Sequence, residues 1–487
     1  MSDKFDPSEV QSSLSERLAE YKRIRDCIAG SDAIKAQTTT YLPQPDPDNT
    51  TEANTTRYLD YLARAIFYNI TGKTVAGLVG LAFSKDIPTL EIPKTLEFLK
   101  ENINGSGIHL DQQIKDSLGE VVSLGRCGLL VDYSKNKAET QQDVLTGRVR
   151  PSILLYEAEE IVWVETKQYN SEIRLSLVIL KDYYRVAKED GYKTEIKTQY
   201  KVLLLNESGY YQQEIWREDL KQKAWVLHDI ITPTDNKGNL FDHITFTFIG
   251  SKNNDSTLDD APMSAIADLN IGHYRNSADA EESSFIHGQP TLVVTGLTKD
   301  WVSTILKGKV RIGSRGGLPL PEGASAAILH VESNGLPVEG MRDKEKQMTA
   351  IGARLVTDTT GSKTATEVNR DSNVENSELS SMVNNVELAY KFCFKQIELF
   401  TGVVGFEIEL CKKFSSVDFD PTVYTALVNG TMQGVGKRED VFNYLKNTNM
   451  IEQEVNYEEW EESIVNTMPR YGEDLEGDED EISDTQV

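Results

Sequence analysis

Few residues of this chain could do chemistry, and two glycine-containing segments come first. Asn69–Thr74 (NITGKT) ends like a phosphate-binding loop, but Phe67 stands where that loop requires its first glycine. Gly313–Gly317 (GSRGG) could cradle a phosphate, yet it lacks a strand–loop–helix context and a partner acid. Neither segment predicts a nucleotide site, and a mobile loop is the simpler interpretation of the second.

Acidic pairs and histidines are the remaining candidates for catalysis. Glu159-Glu160 and Glu281-Glu282 could act as general acid and base, but the sequence does not fix their separation in space, and solvated faces are the simpler interpretation. The chain has no GxSxG elbow, no HExxH and no Cys/His metal spacing. Its six histidines are scattered: His109, His228, His243, His273, His287 and His330. We therefore expect no catalytic residue, no metal and no cofactor, and an enzyme working through paired acids is the alternative.

Composition narrows the class of protein further. The 487 residues carry a net charge of −26, which argues against a protein that coats DNA, because neutralising phosphates requires local Lys and Arg. An acidic wall would instead let DNA slide past without sticking, although plain solubility explains the same charge. The apolar stretch Thr74–Phe83 is too short to span a bilayer. The four cysteines stand far apart and indicate free thiols: Cys27, Cys127, Cys393 and Cys411.

The first half of the chain predicts helices followed by strands. One helical pattern runs from Asn54 to Ala82, straight through Asn69–Thr74, and another covers Leu110–Leu124 before a strand at Cys127–Tyr133. Seven further strands, separated by Asn, Gly and Asp turns, indicate antiparallel meanders. They are Ser152–Leu155, Ile161–Glu165, Glu172–Leu180, Tyr200–Leu205, Tyr210–Trp216, Ala224–Leu227 and Ile244–Ile249.

A long polar helix is the most informative element. Pro262 suits a first helical turn and Gly288-Gln289-Pro290 ends the pattern, so one helix should run from Pro262 to His287. At a rise of 1.5 Å per residue it would be about 39 Å long. Its apolar residues are sparse, which is hard to reconcile with the interior of one globule. Packing against identical neighbouring copies would explain it.

The remaining pattern predicts that this helix forms a hairpin with a second helix and that a small module lies between the two. A small glycine-rich module, Thr291–Val331, is followed by a second helix, Val338–Val356, a polar segment, and a third long helix, Asn373–Phe400. Beyond it the sequence predicts a strand pair, three helices and an acidic tail. These are Phe406–Leu410 with Ser416–Phe419, then Thr422–Asn429, Arg438–Asn447 and Tyr457–Asn466, and finally the eight acids between Glu473 and Asp484.

Four segments carry a resemblance to a known family. They read TRYLDYLARAIFYNITGKTVAGLVG (56–80), LGEVVSLGRCGLLVDY (118–133), PMSAIADLNIGHYRNSADAEESSFIHGQPTLVVTG (262–296) and GSKTATE (361–367). In these segments the chain resembles the portal proteins of tailed bacteriophages, in particular the podovirus-type portals of a group once known only as a domain of unknown function. The likeness spans residues 41–400, and little of it extends beyond Thr401.

The resemblance implies an α+β portal fold, assembled as a ring of twelve subunits at one capsid vertex. Two long stem helices would enclose a clip, and an antiparallel β-rich region would belong to the wing. The implied parts are a wing at 1–260, with its β-rich part at 151–250; a first stem helix at 261–287; a clip at 288–335; a second stem helix at 336–356; a tunnel loop at 357–369; a long wing helix at 370–400; a crown at 401–470; and a disordered acidic tail at 471–487.

The resemblance also implies two binding regions. The tunnel loop would touch DNA phosphates without reading bases, through short polar side chains and two cations: Thr359, Thr360, Ser362, Lys363, Thr364 and Arg370. The clip would bind partner proteins through Lys299, Lys307, Lys309, Arg311 and Arg315. Five cations against three acids give this module a net charge of +2 in an acidic chain, although surface scatter explains that excess equally well.

The implied role is structural, with no enzymatic activity and no cofactor. Its partners would be further copies of the chain, duplex DNA, the terminase large subunit, a tail adaptor or head-completion protein, and the major capsid and scaffold proteins, with no membrane. The protein would reside in the virion at the portal vertex, and in the host cytoplasm during assembly. The alternatives are another head–tail connector or minor head protein, and a nucleic-acid-processing enzyme.

Overall fold

The computed structural model describes residues 5–84, 89–133, 150–169, 171–188, 192–219, 224–288, 291–304, 320–329, 335–356, 377–412, 421–447, 451 and 455–467. The chain divides into two compact units, Met1–Phe414 and Ser415–Val487. Helices and antiparallel sheets alternate along the first unit, so the predicted α+β class is confirmed at that level.

Six helices open the first unit. They are α1 (Ser12–Ala29), α2 (Ser31–Ala36), α3 (Glu52–Arg64), α4 (Ile70–Ala82), α5 (Phe98–Glu101) and α6 (Leu110–Leu124). The single helical pattern predicted over Asn54–Ala82 is wrong, because α3 and α4 are separate. Asn69 starts the second helix, since its side chain accepts a hydrogen bond from the backbone N–H of Gly72 at 2.8 Å and so caps α4.

A three-stranded antiparallel sheet lies at the centre of the core, in the order β3-β2-β9. Its strands are β2 (Arg126–Tyr133), β3 (Pro151–Glu157) and β9 (Phe246–Gly250). The middle strand is buried from Arg126 to Val131, and both α6 and the later helix Glu378–Thr401 contact it. Gly128 is required there, because a Cβ at this position would collide with the Phe246 ring.

A five-stranded antiparallel meander follows, in the order β4-β5-β6-β7-β8. Its strands are β4 (Ile161–Tyr169), β5 (Glu172–Ala187), β6 (Thr194–Leu205), β7 (Tyr211–Asp219) and β8 (Ala224–Ile231). The predicted meander is confirmed, but β5 continues seven residues past its predicted end at Leu180, and β6 starts six residues before its predicted start at Tyr200.

The predicted hairpin of long helices is present. Its first helix is α7 (Ser264–Gly288) and its second is α9 (Leu336–Arg354). Between them lie α8 (Lys299–Thr304) and the antiparallel strand pair β10 (Thr291–Thr295) and β11 (Ser325–Leu329). None of the helices within the described residues is long and apolar enough to cross a bilayer.

The third long helix, α10 (Glu378–Thr401), closes the core of the first unit. After it, β12 (Glu407–Glu409) pairs with β1 (Thr89–Glu91), a strand that the sequence pattern missed. The sequence paired this region with Ser416–Phe419, which lies outside the described residues. The second unit contains α11 (Pro421–Met432), α12 (Arg438–Asn447) and α13 (Tyr457–Thr467), and the ring of Phe442 packs against those of Tyr457 and Trp460.

Candidate functional site

The two hairpin helices are antiparallel and held together by polar groups. Asn276 of α7 donates a hydrogen bond to the carbonyl of Pro337 at 3.4 Å, near the start of α9. Three residues earlier on α7, His273 contacts the carboxylate of Glu345 at 3.1 Å, halfway along α9. The later residue of α7 thus contacts the earlier residue of the second helix, so the two helices run antiparallel as a hairpin.

Glycines bring these helices close to one another. A Cβ at Gly340 of α9 would collide with the amide of Asn276, and a Cβ at Gly272 of α7 would press on the stem of Lys344. Each helix thus contributes one residue without a side chain at the contact. This end of the interface is polar, whereas Met348 and Ile351 further along α9 pack with the apolar core.

The hairpin is buried unequally along its length. The first part of α7 lies in the core, where Ile266, Ile271 and Tyr274 are buried. The expectation that this helix depends on neighbouring copies is therefore wrong for its first part. From Asp279 onward no side chain described on α7 is buried, and Phe285 and Ile286 are exposed. Of α9, Met348 is the one buried residue, and Leu336 and Val338 are exposed.

Helix α3 supports the exposed part of α7. The hydroxyl of Tyr61 donates to the carboxylate of Asp279 at 2.7 Å, and Arg64 pairs with Glu282 while lying over the ring of Phe285 at 4.3 Å. Burial, followed by the hydrogen bond to Asp279, raises the pKa of Tyr61 above its ordinary value. These contacts hold the exposed part of α7 in place against α3.

The sequence-predicted binding residues fall mostly outside the described part of the chain. Lys299 is the exception, and it is exposed at the start of α8. The other clip residues and the whole tunnel-loop set lie outside the described residues: Lys307, Lys309, Arg311, Arg315, Thr359, Thr360, Ser362, Lys363, Thr364 and Arg370. These assignments remain predictions.

Three carboxylates of the two acidic pairs take part in contacts within the fold. Arg25 binds Glu159 and Glu120, with all four N–O distances at 2.8 Å. Glu160 accepts the backbone N–H of Glu157 at 3.0 Å, and burial raises the pKa of Glu160 to about 7. In the other pair, Glu282 is bound by Arg64.

A buried lysine was the further catalytic candidate that the structure offered. Lys201 of β6 contacts Asp182 at 3.2 Å and Asp132 at 3.5 Å. Burial favours the neutral amine, but Tyr156 and the two aspartates outweigh it and raise the pKa of Lys201 above its ordinary value. A lysine that stays charged is a poor base and a poor nucleophile, so this group serves as an ionic link between two sheets.

A groove of about 710 Å³ lies between α10 and β12. Its inner wall is Glu387, which is bound by Lys391 at 2.6 Å, by Lys412 at 3.2 Å and by the N–H of Leu410 at 2.9 Å. Burial works to raise the pKa of Glu387, yet these three donors lower it below its ordinary value. The groove's strongest polar groups therefore already bind one another. Within the described residues, no three potential metal ligands lie together.

Comparison with known proteins gives one family match and two weak structural likenesses. Residues 262–400 match the family described as Domain of unknown function (DUF4055). No curated protein matches the chain. A chain from the virion of a native gene transfer agent particle is 11% identical, with 78% of this chain and 89% of that chain covered, at a TM-score of 0.39. A chain from the neck of an empty particle of this kind is also 11% identical, with 79% and 92% covered, at a TM-score of 0.38.

The limits of the family match coincide with elements of the fold. The match starts two residues before α7 and stops one residue before the end of α10. The hairpin, the module between its helices and the helix that closes the core thus all lie within one family match. At TM-scores of this size, the two structural likenesses carry no argument about function.

Proposed function

We propose that this chain is a phage portal protein, a ring-forming channel for DNA at one capsid vertex. The observation that carries the proposal is the exposure of the hairpin. Over the 19 residues of α9 one side chain is buried, while apolar side chains of both helices face solvent. A polar helix with exposed apolar residues beside it is suited to packing between copies.

The parts of a portal can be placed on this framework as a proposal. The stem would be α7 and α9, and the clip would be the module that contains β10, α8 and β11, where Lys299 is already exposed. The connection between α9 and α10 would reach the channel. Terminase, tail adaptor and capsid proteins would be its partners in the virion. A smaller head–tail connector has no evident use for such a hairpin with a module between its helices.

The enzymatic alternative gains no support from the described residues. Each of the acidic pairs has at least one carboxylate bound to a basic side chain or a helix terminus. Lys201 is held in its charged form. A general acid–base pair requires carboxyl groups that face one substrate position, and three of these four carboxylates already take part in contacts within the fold.

Negative-stain microscopy of the purified protein, together with surface variants, tests the proposal. We expect rings with a central hole wide enough for duplex DNA. Val338→Asp and Ile286→Asp should reduce the ring fraction at least tenfold, because each places a charge in an apolar contact between copies, where losing about 1.4 kcal/mol of contact energy is worth a factor of ten. Val404→Asp is the matched control, since Val404 is 73% exposed and lies beyond α10.

Two outcomes would count against the portal assignment. Wild-type protein that remains monomeric at every concentration would exclude a ring that forms from this chain alone. Hairpin variants that form rings as readily as Val404→Asp would show that α7 and α9 do not build the contact. Unchanged circular dichroism of all three variants is required, so that a loss of rings cannot be ascribed to unfolding.

A further inference from the structure

The five-stranded sheet carries an arm that is only two strands wide. β4 pairs with β5 no further than Leu180, and β7 pairs with β6 no further than Gln199. Beyond these points Asp182–Ala187 pairs solely with Thr194–Gln199. At about 3.4 Å per residue this six-residue ribbon is roughly 20 Å long.

An isolated two-stranded ribbon is marginally stable in water, and stable hairpins have a third strand or a packed face. One face of the arm has such support. Gln199 donates to Asp182 at 3.1 Å, Arg217 of β7 donates to Gln199 at 3.0 Å, and the Arg217 guanidinium lies 4.1 Å from the ring centre of Tyr184. This face is therefore tied to the sheet by its own polar network.

On the opposite face the ammonium of Lys181 lies 5.8 Å from the ring centre of Tyr183, and no hydrogen bond between described side chains ties this face to the sheet. Strand alternation places Tyr183, Arg185 and Ala187 there, opposite Thr198, Ile196 and Thr194. Tyr183 is 48% exposed and Ile196 is 64% exposed. No ion pair joins Arg185 to a described residue, and the six residues of this face include no carboxylate.

This composition is that of a docking surface for an acidic, partly apolar partner. Tyrosine and arginine, set beside an aliphatic side chain, are the residues that dominate the energy of protein interfaces. The chain itself supplies a partner of the required charge, since it has 77 acidic and 51 basic residues. A second copy therefore has the net negative charge that would complement Arg185.

We propose that the arm docks on a second copy of this chain through Tyr183, Arg185 and Ile196. The contact would supply the third layer that the ribbon lacks, and it would lie on a different part of the fold from the hairpin contact. The inference builds on the proposed ring, because a closed ring gives every copy a neighbour to receive its arm.

The test measures self-association of the full chain by mass photometry from nanomolar to micromolar concentration. The double variant Tyr183→Ser/Ile196→Ser should weaken association by at least about tenfold, and Arg185→Glu should also weaken it, because it places like charges together. Ile173→Ser is the matched control: Ile173 is 75% exposed and lies on the same strand, at the end away from the arm.

Hydrogen exchange gives a second measurement that does not depend on a variant folding. In wild-type protein, amides of residues 183–186 and 195–198 should exchange slowly when copies associate and faster on dilution. Equal exchange at both concentrations would overturn the proposal. A double variant that self-associates as the wild type does would also overturn it. If that variant were in addition lost from assembled particles, the partner of the arm would be another protein.

The outcomes separate this proposal from the portal assignment. If rings persist in the arm variants, the arm contact is contradicted and the portal assignment is not. Arm-dependent association without any ring in the wild type removes the portal assignment and leaves the arm contact standing.

Discussion

Helices α10 and α9 lie within the same family match, yet they relate to the core in opposite ways. Fourteen of the 24 residues of α10 are buried, against one of the 19 residues of α9. The difference lies in side-chain type. Apolar residues recur on more than one side of α10, as Met382, Val383, Val386 and Tyr390 illustrate, whereas α9 is polar around most of its circumference.

The two helices therefore contact different parts of the chain. α10 contacts β2, β9 and α6, so its sequence is constrained by the folding of a single copy. α9 contacts its own chain mainly along α7, through polar groups, glycines and the buried side chain of Met348. Most residues of α9 are therefore less constrained by the folding of a single copy.

Core truncation should show the largest effect. Ile397→Ala in α10 removes a fully buried side chain and should lower the free energy of unfolding by about 2–5 kcal/mol. Val338→Ala in α9 should change it by about 0.5 kcal/mol or less, because Val338 is 41% exposed. Urea unfolding followed by circular dichroism measures both.

Met348→Ala is the informative control for this pair. Met348 is the single buried residue of α9, so its truncation should resemble Ile397→Ala rather than Val338→Ala. If Val338→Ala destabilised an isolated copy as much as Ile397→Ala, the division between the two helices would be wrong.

Replacing a carboxylate should also lower the free energy of unfolding more in α10 than in α9. Glu387→Gln in α10 leaves Lys391 and Lys412 without their buried partner and should cost about 1–3 kcal/mol at pH 7. Glu345→Gln in α9 should cost less than about 1 kcal/mol, since the Glu345 carboxylate is partly exposed and a glutamine still reaches His273.

The Glu387 effect should depend on pH. Its pKa lies below the ordinary value of 4.5 in the folded chain, so the ionised carboxylate contributes stability above that pH. This contribution is lost as the pH falls through the folded-state pKa. The wild type and Glu387→Gln should therefore converge in stability at acidic pH, and a constant difference from pH 7 to pH 3 would contradict the ion-pair explanation.

Much of the fold could be predicted from sequence, because its elements carry strong periodic patterns. Strand alternation in residues 151–250 located the meander, and Pro262 with Gly288 bounded the first hairpin helix to within two residues. The break between α3 and α4 was missed, since apolar residues continue at helical spacing across it. The one local signal was Asn69, a residue that favours helix caps.

The candidate surfaces were harder to predict for the same physical reason. The arm was missed because Tyr183, Arg185 and Ile196 alternate with polar residues that face a hydrogen-bond network instead of a core. Burial of the first part of α7 was missed because Asn270, His273 and Ser277 look exposed in a sequence, whereas each makes a tertiary hydrogen bond in the fold. Patterns of hydrophobicity do not report polar groups that are paired across long sequence distances.

The smallest expected effect concerns how tightly α9 is held. In a helix interior, alanine is more favourable than glycine by about 0.5–1 kcal/mol. At Gly340 that gain should be cancelled, because the new Cβ displaces the Asn276 amide and breaks its hydrogen bond to Pro337. Gly340→Ala should therefore be close to neutral in thermal unfolding of the wild type.

In the Asn276→Ala background the obstruction is gone, so the same Gly340→Ala change should stabilise the chain by about 0.5–1 kcal/mol, and the double-mutant cycle measures the coupling. Gly77→Ala in α4 is the matched control, because nothing lies within 4 Å of the Cβ it would add. If Gly340→Ala alone stabilised as much as Gly77→Ala, α9 would not be held closely against α7. Coupling of the expected size would mean that one side-chain amide sets the spacing of α9, whereas the position of α10 is set by a whole buried surface.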